Sequence, residues 1–276
     1  MGRDRHHNGH HNIFNYYRGP SKLGDEADEG RYHQQLEDNT TKALINLLRH
    51  SPPSLTTSFL ARCVPGIEAE LEEVDRFDYG LQVPKPSVPP SDPMRRLIGL
   101  SPMDHIDPDS WSRKGTGSRV DAMIQAPAKS TIVIEVKING ALDGSQLLRH
   151  AKAWGVPYPS PPYPPADRPA EWILVSWKDV YTWARDRLGS VSGEPTRFLL
   201  GQFIEYLEDT SLAPFSGFRR ADFKFFESKP DRRRPENLME LKTRLDALWR
   251  ALEDVWGVKT QFASQEIRIC RRNLGF

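Results

Sequence analysis

The chain has 276 residues, 38 of them Lys or Arg and 37 Asp or Glu, with a formal net charge of +1 and a mean hydropathy of −0.61. That length is enough to bury a core in one large domain or two small ones, and the near balance of charge excludes a protein that coats polyanions through bulk charge alone. There is no apolar run long enough for a membrane span and no signal-peptide pattern, and Cys63 and Cys270 stand in no metal-ligand spacing, so the reading is no membrane and a reducing cytoplasm.

Residues 1–30 are polar, with His6, His7, His10 and His11 among them, and read as a flexible or loosely docked tail whose aromatic residues Phe14, Tyr16 and Tyr17 dock its end on the domain. Residues 32–50 are predicted to form a helix, because Leu36, Ala43, Leu44, Leu47 and Leu48 recur at helical spacing and Ser51-Pro52-Pro53 stops the pattern. Glu37 falls within about 20° of Leu44 and Leu48 around that helix. A carboxylate on a buried stripe needs a partner. Either it is salt-bridged to a basic side chain at the boundary or it is an acid of a functional site.

Residues 55–75 are expected to hold one or two short helices, the second carrying Glu68, Glu70, Glu72 and Glu73 as a solvated face. Residues 77–83, FDYGLQV, read as a strand, and Pro84 to Pro93 as a stiff irregular loop. No element is assigned over residues 94–117. Its Asp104, His105, Asp107 and Asp109 read as turn chemistry rather than as metal ligands.

Residues 118–154 organise the chain: strand, turn, strand, loop, helix. The first strand carries Asp121 among Val120, Ala122, Met123 and Ile124; the second, residues 131–138, is β-branched at most positions yet carries Glu135 and Lys137. Reflection about Ala128 pairs Gln125 with Thr131, Met123 with Val133 and Asp121 with Glu135, around a five-residue loop from Ala126 to Ser130. Opposed carboxylates repel, and a divalent cation between them, with a lysine beside the pair, has the parts for metal-assisted phosphodiester hydrolysis. Asn139-Gly140 ends the strand and residues 141–154 form a helix with Leu147, Ala151 and Trp154 toward the core. Gln146 and His150, four apart, share a neighbouring stripe.

Residues 155–169 contain seven prolines and read as an extended crossover connection. Residues 172–177, WILVSW, suit a strand buried on both faces, followed by a helix over 179–188. An amphipathic helix over 195–207 places Phe198, Leu199, Phe203 and Leu207 on its apolar side. A longer helix over 236–256 presents one leucine stripe, and residues 265–270 read as an edge strand. From Phe215 onward there are 14 basic and 9 acidic residues, a surplus that either contacts phosphates or is ordinary solvated surface.

The order of LEDNTTKALINLL, RVDAMI, IVIEVKI and SQLLRHA resembles the PD-(D/E)xK nuclease superfamily over roughly residues 32–188. Val120 stands where that family usually has Pro. The resemblance implies an α/β, restriction-endonuclease-like αβββαβ core with a central mixed sheet flanked by helices, occupying residues 31–190, and a C-terminal helical extension over 191–276. It further implies a metal-dependent endonuclease acting on nucleic acid, DNA before RNA, with Mg²⁺ or Mn²⁺ as cofactor. Asp121, Glu135, the Val136 carbonyl and Glu37 would be metal ligands, Lys137 the lysine and Gln146 the helix glutamine. The N-terminal pattern is similar to nuclease subunits of bacterial antiphage defence, which implies a partner protein of such a system, and folds of this kind often pair as homodimers. The alternative is a non-cleaving nuclease-fold subunit that binds nucleic acid or a partner protein.

Overall fold

A computed structural model of the chain describes residues 12–14, 26–87, 91–112, 119–165 and 167–218, with isolated helical positions at 241, 244, 245, 248 and 251. The chain is α/β. The first helix, α1 (Glu26–Arg49), begins earlier than its apolar stripe predicts and buries Leu44, Leu47 and Leu48 completely. Helix α2 (Pro53–Cys63) starts on Pro53, where a missing N–H leaves no helical bond unmade. The acidic second helix is reduced to a 3₁₀ turn over Ile67–Ala69.

The main sheet has five strands: β1 (Asp78–Val83), β2 (Met94–Ser101), β4 (Val120–Ala126), β5 (Ser130–Val136) and β7 (Trp172–Ser176), in the order β1-β4-β5-β2-β7. A two-residue ladder joins β3 (Ile106–Asp107) to β6 (Leu142–Asp143). Strands β1, β4 and β5 are antiparallel in turn, while β2 runs parallel to both β5 and β7, so the sheet is mixed. Helix α3 (Gly144–Trp154) lies between β6 and β7 in sequence, and α4 (Trp177–Ser190) and α5 (Glu194–Asp209) follow β7.

Two apolar clusters cover the two faces. On one face α1, α2, α4 and α5 pack on Ile98, Leu100, Ala122, Ile124, Ile132 and Ile134. On the other, Leu147, Ala151 and Trp154 of α3 pack on Leu97, Val133 and Trp172. Residue alternation along β5 feeds both layers, which is why that strand is buried throughout. Helix α3 is seated by Trp111, whose ring lies so close to Gly144 that a Cβ there would come within 2.5 Å of it. Phe14 docks on α5, edge-on to Phe203 with ring centres 6.1 Å apart.

The hairpin register is the one the sequence predicts: Gln125 faces Thr131 and Met123 faces Val133. The turn is tighter than predicted, because Ala126 and Ser130 are themselves paired and Ala128 turns at φ 60°. Strand β2 is the element the sequence reading missed. Its Arg95 and Arg96 interrupt the apolar pattern, but Arg96 is buried and gives both guanidinium nitrogens to Glu70, at 2.7 and 2.6 Å. Glu70 therefore serves a clamp between β2 and the turn after α2, rather than a solvated face. Asp107 accepts the Asp109 N–H at 3.0 Å, the turn role expected of it.

Strand β7 is covered on both faces as predicted, Val175 joining one apolar cluster and Trp172 the other, but it stands at the edge of the sheet, with Ile173 and Leu174 half-buried. An apolar run covers the two faces of a sheet whether or not both its ladders are paired, so its composition did not reveal the open edge. In α5, Phe198 is 54% exposed and points away from the stripe of Leu200, Phe203, Ile204 and Leu207. The predicted edge strand over 265–270, most of the helix over 236–256, the His-rich start, and Tyr16 and Tyr17 lie outside the described residues. Among the described residues, no helix is long and apolar enough to cross a membrane.

Candidate active site

The carboxyl ends of β1 and β5 and the start of β4 meet at one end of the sheet, and Glu37, Asp121, Glu135 and Lys137 gather there. Continuing the β4–β5 register one step from Ala122↔Ile134 sets Asp121 opposite Glu135. Asp121 is half-buried: its Oδ2 accepts the Val136 N–H at 2.9 Å and its Oδ1 accepts from Gln82 Nε2 at 3.4 Å. Glu135 is 1% exposed. Alternation turns it toward α3, where its Oε2 meets His150 Nε2 at 3.0 Å. With the carboxylate ionised, Nε2 is the donating nitrogen.

Lys137 lies just past the end of β5, its backbone N–H held by the Leu100 carbonyl. Its Nζ stands 3.1 Å from Glu37 Oε1, to which it donates, and 3.2 Å from Glu135 Oε1. The second contact is an ion pair outside hydrogen-bonding geometry, so the buried Glu135 Oε1 accepts no hydrogen bond among the described residues. Trp177 Nε1 donates to the Lys137 carbonyl at 2.8 Å and ties the residue to the start of α4. Thus α1 brings Glu37 from one face of the sheet and α3 brings His150 from the other, with Glu135 and Lys137 between them.

Charge is unevenly matched here. Burial, and then the negative charge of Glu135, push the Asp121 carboxyl up to about 8; the Val136 N–H and Lys137 oppose this and Glu37 adds to it. Glu37 is raised too, by burial first, against the pull of Lys137. For Lys137, burial works to lower the pKa, but the carboxylates of Glu135 and Glu37 outweigh it and hold the ammonium above its ordinary range. Three carboxylates share one lysine, so the cluster is short of positive charge.

Gln146 lies in the first turn of α3: its backbone N–H donates to the capping Asp143 side chain at 2.9 Å, and its half-buried side-chain amide has no hydrogen bond among the described residues. One turn on, His150 makes the contact with Glu135. The four-residue spacing of Gln146 and His150 was the available signal, and the buried partner went to the second of the two. Gln82 and Asp38 were missed altogether. Gln82 Nε2 donates to Asp38 Oδ1 at 3.0 Å as well as to Asp121. Drawing the β1–β4 pairing would have found Gln82, since the register places it across from Asp121.

The groups able to hold a hard cation are the oxygens of Asp121 and Glu135, with the Val136 carbonyl at the same strand end; Glu37 is engaged with Lys137. Among the described residues, no three or more His, Cys, Asp or Glu side chains form a ready-made metal-binding group. The donor set is nonetheless oxygen-rich and deficient in positive charge, which fits Mg²⁺ or Mn²⁺ rather than a soft metal. No family model matches the chain, and no curated protein or solved structure matches it.

Proposed function

We propose that this protein is a metal-dependent nuclease of restriction-endonuclease-like fold that hydrolyses phosphodiester bonds, in DNA before RNA. One observation carries the reading: Lys137 Nζ lies within 3.2 Å of both Glu37 and Glu135, at the strand end where Asp121 is set opposite Glu135. Residues from α1, β4 and β5, distant in sequence, supply the acids and lysine of a phosphodiesterase. Asp121, Glu135 and the Val136 carbonyl would hold Mg²⁺ or Mn²⁺, with Glu37 completing the set. When bound, such an ion supplies Lewis acidity and a water of lowered pKa.

Lys137, kept charged by its two carboxylates, is unsuited to act as a base and acts as a fixed ammonium against the phosphate or the attacking water. Glu37 fixes its direction. His150 holds Glu135 from behind, leaving the Oε1 oxygen turned toward Lys137. Gln146, the helix glutamine that the resemblance assigns, would orient the nucleophile. The similarity of the N-terminal pattern to antiphage-defence nucleases extends the proposal to a role in such a system, with a partner protein or a second copy of the chain.

A second reading, a non-cleaving subunit that binds nucleic acid or a protein, draws on a different observation. Both Asp121 oxygens and the Lys137 ammonium already have internal partners. The two readings separate when the purified protein is incubated with plasmid, linear duplex, single-stranded DNA and RNA, in Mn²⁺ or Mg²⁺ against EDTA, beside Lys137→Ala. Cleavage that needs the metal and the lysine is expected. No cleavage of any substrate, or cleavage that survives Lys137→Ala, would remove the nuclease reading.

A further inference from the structure

Position 82 departs from everything around it. Gln82 sits inside β1 with φ +53°, a left-handed backbone that a side chain other than glycine's rarely adopts. Such a residue in an edge strand often marks a bulge, where an extra residue is accommodated. That explanation fails here. Leu81 pairs with Ala122 and Val83 with Val120, so the register is the same on both sides of Gln82 and no residue has been inserted. The ladder is interrupted only where Gln82 faces Asp121.

If the backbone turn alone were wanted, glycine or asparagine would adopt it more readily. The chain instead carries a long side chain ending in an amide, and that amide reaches two carboxylates. Its Nε2 donates to Asp38 Oδ1 and Asp121 Oδ1, while its buried Oε1 has no hydrogen-bond partner among the described residues. The amide's orientation follows from this network, since the opposite one would turn its oxygen toward the Asp38 carboxylate. With the Val136 N–H on Oδ2, Gln82 supplies the second of the two donors that fix the plane of the Asp121 carboxylate.

We propose that Gln82 is a positioning residue for the site: its left-handed backbone delivers an amide that aims Asp121 and ties it, through Asp38, to α1. The inference rests on the nuclease reading for its purpose but not for its geometry, and two readouts keep them apart. The first needs no metal. In Gln82→Ala, hydrogen exchange at the Val136 amide, whose acceptor is Asp121, is expected to quicken about tenfold, while exchange at Ile132 and Ile134 in the same strand stays as it is. The second is calorimetric titration with Mn²⁺ alone, in which the same variant is expected to bind at least about tenfold more weakly, the scale typical of groups that orient metal ligands.

Gln82→Gly removes the amide and the backbone strain together, so it folds at least as readily and is expected to match Gln82→Ala in both measurements. Unchanged Val136 exchange in either variant overturns the proposal, as does a glycine variant that keeps native exchange and affinity, which would assign position 82 to backbone geometry alone. If the unaltered protein takes up no Mn²⁺, the metal reading of the site falls, and the exchange data still decide whether Gln82 positions Asp121.

Discussion

Among the described residues, two part-buried ionic clusters are built on different terms. At the Arg96–Glu70 clamp, one guanidinium meets one carboxylate through two short, parallel contacts, so each charge is matched. At the Glu37–Lys137–Glu135 cluster, one ammonium answers several carboxylates. Asp121 is driven toward its neutral form, Gln82 is held in an unfavourable backbone conformation, and buried polar atoms on Glu135, His150 and Gln82 lack hydrogen bonds among the described residues. A closed pair of the first kind secures an element. Unmatched charge, strain and unsatisfied atoms together mark a place arranged for something other than stability.

The largest effect that would sharpen this contrast is on cleavage. Asp121→Asn is expected to reduce metal-dependent cleavage by about a thousandfold while leaving thermal stability equal to or above that of the unaltered protein. Melting curves and a plasmid assay on the same preparation check both halves. A variant that melts much lower would place Asp121 in the structural class instead. The converse substitution, Arg96→Met, is expected to lower unfolding stability by about 2 kcal/mol, below the usual range for a buried pair because Glu70 keeps partial access to water. Mn²⁺ binding should be untouched. Denaturant titration and calorimetry read the two quantities separately.

Stability against pH gives a finer test. Asp121 binds a proton in the folded protein up to about pH 8, whereas an unfolded aspartate releases it near pH 4. Between those limits the folded state holds more protons than the unfolded one, so stability should fall as pH rises, by at most about 1.4 kcal/mol per unit from this group. Glu37 contributes with the same sign. The slope should flatten in Asp121→Asn and remain in Arg96→Met. The smallest effect expected is that of Glu70→Gln, which retains an acceptor for Arg96 and should cost about 1 kcal/mol, with no change in metal affinity.

The sequence displayed one half of the candidate site and concealed the other, for a physical reason. Asp121, Glu135 and Lys137 are legible because strand alternation and a short turn fix which residues face each other, and Glu37 because helical periodicity sets it beside Leu44 and Leu48. Gln82 and Asp38 depend on β1 lying against β4, a pairing between segments with 36 residues between them, and neither carries a local pattern. His150 sat in view beside Gln146, but which of two residues on a stripe reaches a buried acid is decided by the seat of the helix, here Trp111 on Gly144. Strand β2 was hidden by its arginines, because a buried guanidinium reads as surface until its carboxylate is found. Both faces of the sheet and the helices over them follow from apolar spacing, and nine of the predicted helices or strands fall where expected: α1, α2, β1, β4, β5, α3, β7, α4 and α5.

Calorimetric titration with Mn²⁺ near pH 7, in two buffers of different ionisation heat, tests the central claim most directly. Asp121 holds its proton at that pH in the absence of a cation, so coordination should release it. The account predicts a saturable heat that differs between the buffers by about one proton per chain, and whose buffer dependence disappears in Asp121→Asn. No saturable binding, or binding with the same proton release in that variant, would contradict it.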